Sequence, residues 1–294
     1  MNAAKIDSSA PLAGRLALVT GAARGIGFDI ASHFMAAGAD VLVFDIDGPG
    51  AASAAQRLSE TFEGHRALFY QGDVADEDAI CAAFDQASTL RTPTILVNNA
   101  GVNDLRPLVR LSVDEWRRVF DVIALGTFLA TRELARRFIE HDLTDGAVVN
   151  ISSLNFLIAT RGYAHYCAAK AAVSQFTRAS ALELAPLGVR VNAIAPGLTR
   201  TPLAGRFFAE NPSVPQAFVD QTPLGRIGET GDIAKVATFL ASDAAGWLTG
   251  LTIPVDGGAN LVGMPDSWEL MAGGLGLAEP DPAEWARCDP SPDA

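Results

Sequence analysis

Seven short apolar runs alternating with longer helical stretches constrain this chain more than any other feature. The runs are RLALVT (15–20), DVLVFD (40–45), RALFYQ (66–71), TILVN (94–98), AVVNIS (147–152), RVNAI (190–194) and LTIPVD (251–256). They are almost continuously apolar, the pattern of strands buried on both faces of a parallel sheet. Stretches with helical character lie at 25–37, 77–88, 112–139, 164–185 and 231–242. Such alternation predicts an α/β fold: a Rossmann-like, doubly wound, predominantly parallel seven-stranded sheet flanked by helices.

Local signals fix some boundaries. Ser112-Val113-Asp114-Glu115 is a capping box that starts one helix. Pro186 and Gly188 end the helix over 164–185. The stretch 199–222, rich in Pro, Phe and small residues, interrupts the alternation and reads as a substrate lid. The organisation expected is an N-terminal extension (1–11), a single Rossmann-type domain (12–262) and a C-terminal extension (263–294). The last part, with Trp268 as its apolar anchor, reads as a flap over the lid, a reach to a neighbouring subunit, or a tail without a role.

Bulk properties narrow the function classes. The chain of 294 residues has 49% hydrophobic and 19% charged residues, the balance of a compact soluble enzyme. A net charge of -12 argues against a nucleic-acid partner. Cys81, Cys167 and Cys288 lie far apart, which suits a reducing compartment and offers neither a disulfide framework nor a metal-ligand pattern. The opening MNAAKIDSSAPLAG lacks the apolar segment of a secretory signal. No run approaches the roughly 20 residues that span a bilayer. The expected setting is cytoplasmic, with no membrane partner.

TGAARGIG, Thr20 to Gly27, joins the first run to the first helical stretch. Gly21 permits a sharp turn, and Gly25 and Gly27 let phosphate and sheet approach the backbone. The helix start then offers free N–H groups and a positive dipole end to a pyrophosphate. A bare glycine turn would satisfy the same spacing. Asp45 sharpens the reading, because it ends the second run. A carboxylate there accepts hydrogen bonds from both adenosine ribose hydroxyls and repels a 2′-phosphate, favouring NAD over NADP. Arg24 is the contrary signal and reads as a solvated loop cation.

Further motifs follow in order: NNAG (98–101), Ser153, YCAAK with Tyr166 and Lys170, Pro196-Gly197 with Thr199 and Thr201, and VDGG (255–258). With the glycine loop, they make residues 12–262 resemble the short-chain dehydrogenase/reductase family, in its single-domain NAD-type branch. The resemblance implies Ser153, Tyr166 and Lys170 as catalytic residues. It implies NAD contacts from Gly21, Arg24, Gly25, Ile26, Gly27, Asp45, Asp73, Val74, Asn99, Ala100, Gly101, Tyr166, Lys170, Pro196, Gly197 and Thr201. It also implies a homotetramer, or a dimer, built on the helices over 112–139 and 164–185.

The pair Tyr166 and Lys170 has a physical logic of its own. At i and i+4 they share a helix face. An ammonium about 4 Å from a phenol, at an effective dielectric near 20, is worth about 4 kcal/mol. That is roughly three pKa units, which would bring a phenol from about 10 to near 7. Tyr166 is then a general base for alcohol oxidation or an acid for carbonyl reduction. Ser153 would hold the substrate oxygen.

One position departs from the family. Aligning WRRVFDVIALGTF on Trp116, Val119, Asp121 and Gly126 puts Ile123 where the family carries a fourth catalytic residue, an asparagine. Without an amide, Ile123 is not expected to hold the helix kink or a relay water in the same way. Asn155 or backbone carbonyls are candidate replacements; slow turnover and lost activity are the two alternatives to a replacement. Substrate contacts are expected from Asn103, Asn155, Phe156, Tyr163, His165 and, in the lid, Phe207. They suit a mid-sized secondary alcohol or ketone. The rival readings are a biosynthetic ketone or imine reductase and a catalytically weak NAD(H)-binding protein.

Overall fold

A computed structural model describes residues 10–202, 204–205, 214–263 and 265. The described strands are β1 (Leu16–Thr20), β2 (Asp40–Asp45), β3 (Ala67–Gln71), β4 (Ile95–Asn98), β5 (Gly146–Ile151), β6 (Val189–Pro196), β7 (Thr199–Arg200), β8 (Gly228–Glu229) and β9 (Thr252–Val255). Seven of them form one sheet in the order β3-β2-β1-β4-β5-β6-β9, and every pairing in it is parallel. This is the Rossmann-like α/β architecture expected from the runs.

Both sheet faces are apolar because successive strand residues point to opposite sides. Ala17, Val19, Val41, Val43, Ile95 and Val97 face one layer, made by α1 (Gly25–Ala36), α2 (Gly48–Thr61) and the helix Thr230–Ala241. Leu16, Leu18, Leu42, Phe44, Leu96 and Val148 face the other, made by α3 (Glu77–Ser88), α5 (Gly126–Glu140) and α6 (Ala164–Leu184). The chain moves outward from β1 to β3 and then returns to β4 on the other side of β1. That reversal opens a crevice at the carboxyl ends of β1 and β4, where such sheets take ligands.

Helix α2 is absent from the helical stretches legible in the sequence, because it begins Gly48-Pro49-Gly50. Proline suits the first helical turn, and the Asp47 side chain caps it by accepting from Gly50 N at 3.0 Å. The stretch 112–139 is divided rather than continuous. The helix α4 (Val113–Phe120) leads into a π-helical turn, Asp121–Leu125, and then α5. The capping box is present: Ser112 Oγ accepts from Glu115 N at 3.1 Å, and Glu115 Oε2 accepts from Ser112 N at 2.9 Å. These bonds, with Arg106, hold the Glu115 carboxyl down at about 2. Gly188, at φ +70°, turns the chain out of α6 into β6.

Within the stretch expected to be a lid, β7 pairs with β8 and a short helix covers Val214–Asp220. Phe207, in that stretch, and Trp268, in the tail, lie outside the described residues. Among the described residues, no helix is long and apolar enough to cross a membrane.

Candidate active site

The glycine loop is stapled to the end of β4. Thr20 Oγ1 accepts from Asn99 N (3.0 Å) and Ala100 N (3.1 Å), while Asn99 Nδ2 donates to Thr20 O (3.0 Å) and Gly21 O (2.9 Å). Gly21 and Gly25 both sit at φ +62°. Gly27 is required by space: a Cβ there would lie 2.4 Å from Gly21 O and 2.5 Å from Asn99 Nδ2. Gly27→Ala is therefore expected to cost about 1–3 kcal/mol of folding stability in urea titrations. It should also weaken dinucleotide binding, because both contacts shape the loop.

Asp47, Asp76 and Ser112 cap α2, α3 and α4. At α1, Arg24 makes no side-chain cap and the first turn carries no acidic residue. Among the described residues, no side chain caps its first N–H groups, as an anion site requires. Asp45, at the end of β2, accepts from Ala23 N (2.9 Å) and Asp47 N (3.0 Å). Arg24 is largely exposed, the solvated loop cation expected, and it faces the half-exposed Asp47 carboxylate at 3.6 Å. Ile26 packs against the core, and Val74 is buried beneath Gly126. Asp73 accepts from Ala75 N at 2.9 Å. From the far side, Pro196 ends β6, Gly197 lies against Asp256, and Thr201 comes close to Gly25.

Ser153, Tyr166 and Lys170 meet where β5 ends and α6 begins. A buried polar chain sets this docking, and sequence reasoning missed it. Asn98 Nδ2 donates to Asn150 Oδ1 (2.8 Å), Asn150 Nδ2 to Thr177 Oγ1 (2.8 Å), and Ser152 Oγ to Lys170 O (3.0 Å). The signal that could have found it is the polar pair inside an otherwise apolar run, AVVNIS. The Ser153 hydroxyl lies beside the Tyr166 phenol and acts to lower its pKa. Lys170 is only 4% exposed; its Nζ donates to Ile151 O at 2.7 Å and lies 5.6 Å from the Tyr166 ring centroid.

The expected drop of the Tyr166 phenol to near 7 is overturned. Burial pushes it up to about 12, and the neighbouring Ser153 hydroxyl opposes this only in part. Burial likewise brings the Lys170 ammonium down to about 8. The physical reason is that both groups leave water together, and the ammonium is turned toward the Ile151 carbonyl instead of the phenol oxygen. Loss of hydration then outweighs attraction.

Comparison with known proteins agrees with this geometry. Residues 21–260 match the sequence family described as enoyl-(acyl carrier protein) reductase. The chain is 39% identical over 249 residues to galactitol 2-dehydrogenase (L-tagatose-forming) of Cereibacter sphaeroides, covering 84% of this chain and 95% of the relative. It is 37% identical over 252 residues to 3beta-hydroxysteroid dehydrogenase 1 of Eggerthella lenta, covering 85% and 95%. A short-chain type dehydrogenase/reductase from Mycobacterium ulcerans has the same fold, with a TM-score of 0.84 at 32% identity over 89% of this chain and 95% of that one. The chain belongs to the short-chain dehydrogenase/reductase family.

Within this short-chain dehydrogenase/reductase, Ile123 falls inside the π-helical turn and is 1% exposed. A Cβ on Gly101 would lie 4.0 Å from Ile123 Cγ1 and 3.8 Å from Lys170 Nζ, so the three positions share one wall. As expected, Ile123 does not hold the kink through a side-chain amide. The helix changes pitch here without one, and Thr127 Oγ1 donates to the Ile123 carbonyl at 2.6 Å.

The remaining substrate candidates divide. Asn155 and Phe156 sit in a 3₁₀ turn, Leu154–Phe156, directly after Ser153. Asn103 lies beside the Tyr163 hydroxyl, and among the described residues its Oδ1 is buried without a hydrogen-bond partner; burial pushes Tyr163 up to about 12. His165 is fully buried, neither ring nitrogen has a hydrogen-bond partner among the described residues, and burial lowers its basicity. Contact between substrate and His165 would require that packing to open.

Proposed function

We propose that this chain is an NAD(H)-dependent oxidoreductase, moving a hydride between the nicotinamide and a secondary alcohol or its ketone. Tyr166 is its general acid/base. The observation that carries the reading is the meeting of Ser153, Tyr166 and Lys170 beside the Thr20–Gly27 loop, at the carboxyl edge of the sheet. The residues fit the dinucleotide: the uncapped start of α1 suits a pyrophosphate, and Asp45 stands where adenosine ribose hydroxyls need an acceptor. In the same reading Asp73 and Val74 border the adenine, Asn99, Ala100 and Gly101 the adenosine ribose, and Pro196, Gly197 and Thr201 the nicotinamide amide. When bound, the dinucleotide supplies the hydride acceptor or donor. Tyr166 holds the proton exchanged with the substrate oxygen, Ser153 orients that oxygen, and Lys170 keeps a positive charge beneath them.

The substrate class is a mid-sized secondary alcohol, a reading supported by relatives named for a hexitol and a hydroxysteroid. Assembly as a homotetramer is part of the proposal; Phe128 and Ile139 on α5 and Leu182 on α6 give those helices exposed apolar surface. So is a cytoplasmic setting, for which Cys81 and Cys167 are free thiols.

The test is NADH absorbance on incubation with NAD and a panel of secondary alcohols. NADH formation by the purified chain is expected. Dinucleotide binding without turnover on any alcohol or ketone would favour the weak NAD(H)-binding reading, to which the apolar Ile123 lends weight. Cofactor choice has its own test. Asp45→Ala removes an anionic acceptor worth about 1.5–3 kcal/mol, so affinity for NAD should fall roughly 10- to 100-fold while NADP binding improves. A wild-type chain that prefers NADP would sink the assignment.

A further inference from the structure

We infer that Asn155 is a positioning residue for the Ser153 hydroxyl and that Thr160 fixes its orientation; this rests on Ser153 acting as proposed above. Asn155 Nδ2 donates to Thr160 Oγ1 at 2.7 Å and to Ile158 O at 3.2 Å. A main-chain carbonyl accepts only, so the nitrogen end of the amide must face it and the oxygen end must face Ser153. There Ser153 Oγ donates to Asn155 Oδ1 at 3.2 Å and accepts from Asn155 N at 3.2 Å.

A serine hydroxyl has one proton and two lone pairs. Asn155 fills one lone pair through its backbone and gives the proton a resting acceptor through its side chain. When a substrate oxygen arrives, the hydroxyl proton swings from Oδ1 to that oxygen while the heavy atom stays in place. Asn155 thus touches neither the reacting atoms nor the Tyr166 phenol; it acts through Ser153. An amide is therefore present at this site after β5, although the wall formed by Ile123 is apolar.

The experiment compares wild type with Asn155→Ala, Asn155→Asp, Thr160→Val, Thr160→Ser and Ser153→Ala. Each is assayed for kcat, KM, the pH profile of kcat and melting temperature, and each is titrated for the Tyr166 phenol by ultraviolet difference against its Tyr166→Phe counterpart. Asn155→Ala should lower kcat about tenfold, the size of one hydrogen bond, with KM and melting temperature little changed. Thr160→Val should lower it less, and Thr160→Ser should recover that loss. Asn155→Asp should move the kcat profile and the phenol titration to higher pH, because an added anion beside Ser153 disfavours phenolate. Wild-type kcat and pH profiles in Asn155→Ala and Thr160→Val, beside a dead Ser153→Ala, would refute the role of Asn155 alone. Full turnover in Ser153→Ala would refute the reading of the site and this role with it. Losses that track melting temperature would reduce Asn155 to a loop brace and overturn the inference.

Discussion

Tyr166→Phe is expected to lower kcat/KM by about 10²–10⁴-fold while leaving dinucleotide affinity nearly intact. The phenol hydroxyl is the proton carrier, and phenylalanine keeps the ring that packs beside Tyr163 and over Lys170. Volume and burial hardly change, so melting temperature is the control that separates lost chemistry from lost structure. The phenol's high value, about 12, gives the pH dependence a sign. Below it Tyr166 carries its proton, ready to donate to a carbonyl oxygen. Oxidation needs the deprotonated form, so its rate should climb as pH rises through the alkaline range while reduction declines. Bringing charge next to the phenol can lower the midpoint, but it leaves the direction unchanged. A Tyr166→Phe protein with near wild-type turnover would remove the general acid/base from this reading.

What the sequence disclosed and what it hid have a common physical basis. The strands were legible because two-sided burial forces continuous apolar runs such as DVLVFD, which matches β2 residue for residue. The glycine loop was legible because close backbone approach leaves glycine as the one residue that fits at Gly27. Helix α2 was hidden because Gly-Pro-Gly carries the composition of a loop, yet serves as a first turn once Asp47 caps it. The π-helical turn at Asp121–Leu125 was hidden because a one-residue shift in hydrogen bonding leaves no mark on composition. The Asn155–Thr160 clasp was hidden for a related reason: its bonds belong to an aperiodic loop, where spacing has no rule. The phenol was misjudged because helix spacing gives the distance between two side chains' roots, not the direction an ammonium takes once Ile151 O is within its reach.

Lys170→Met should stabilise the free protein while crippling its activity. The buried ammonium has fallen to about 8 from the ordinary lysine value of 10.5. Below the lower value both folded and unfolded chains carry the charge, and the folded state bears the whole cost of burying it. At 1.36 kcal/mol per unit, that cost is about 3 kcal/mol. Between the two values the folded chain sheds its proton first, so this penalty fades and the lysine's contribution to stability rises with pH. Above both it is gone. Methionine has similar length and carries no charge, so it removes the penalty; against that, the Ile151 carbonyl loses its donor, at about 1–2 kcal/mol. The net expectation is a gain of about 1–2 kcal/mol at neutral pH by urea unfolding, shrinking toward zero or below in strongly alkaline buffer. Turnover should fall at least about a hundredfold, because no cation then offsets negative charge on Tyr166 or the substrate oxygen. A variant less stable than wild type at neutral pH, or equally stabilised at every pH, would show that Lys170 sits there without electrostatic strain. A stability gain coupled to lost turnover would show that the fold tolerates this strain because the reaction needs the charge.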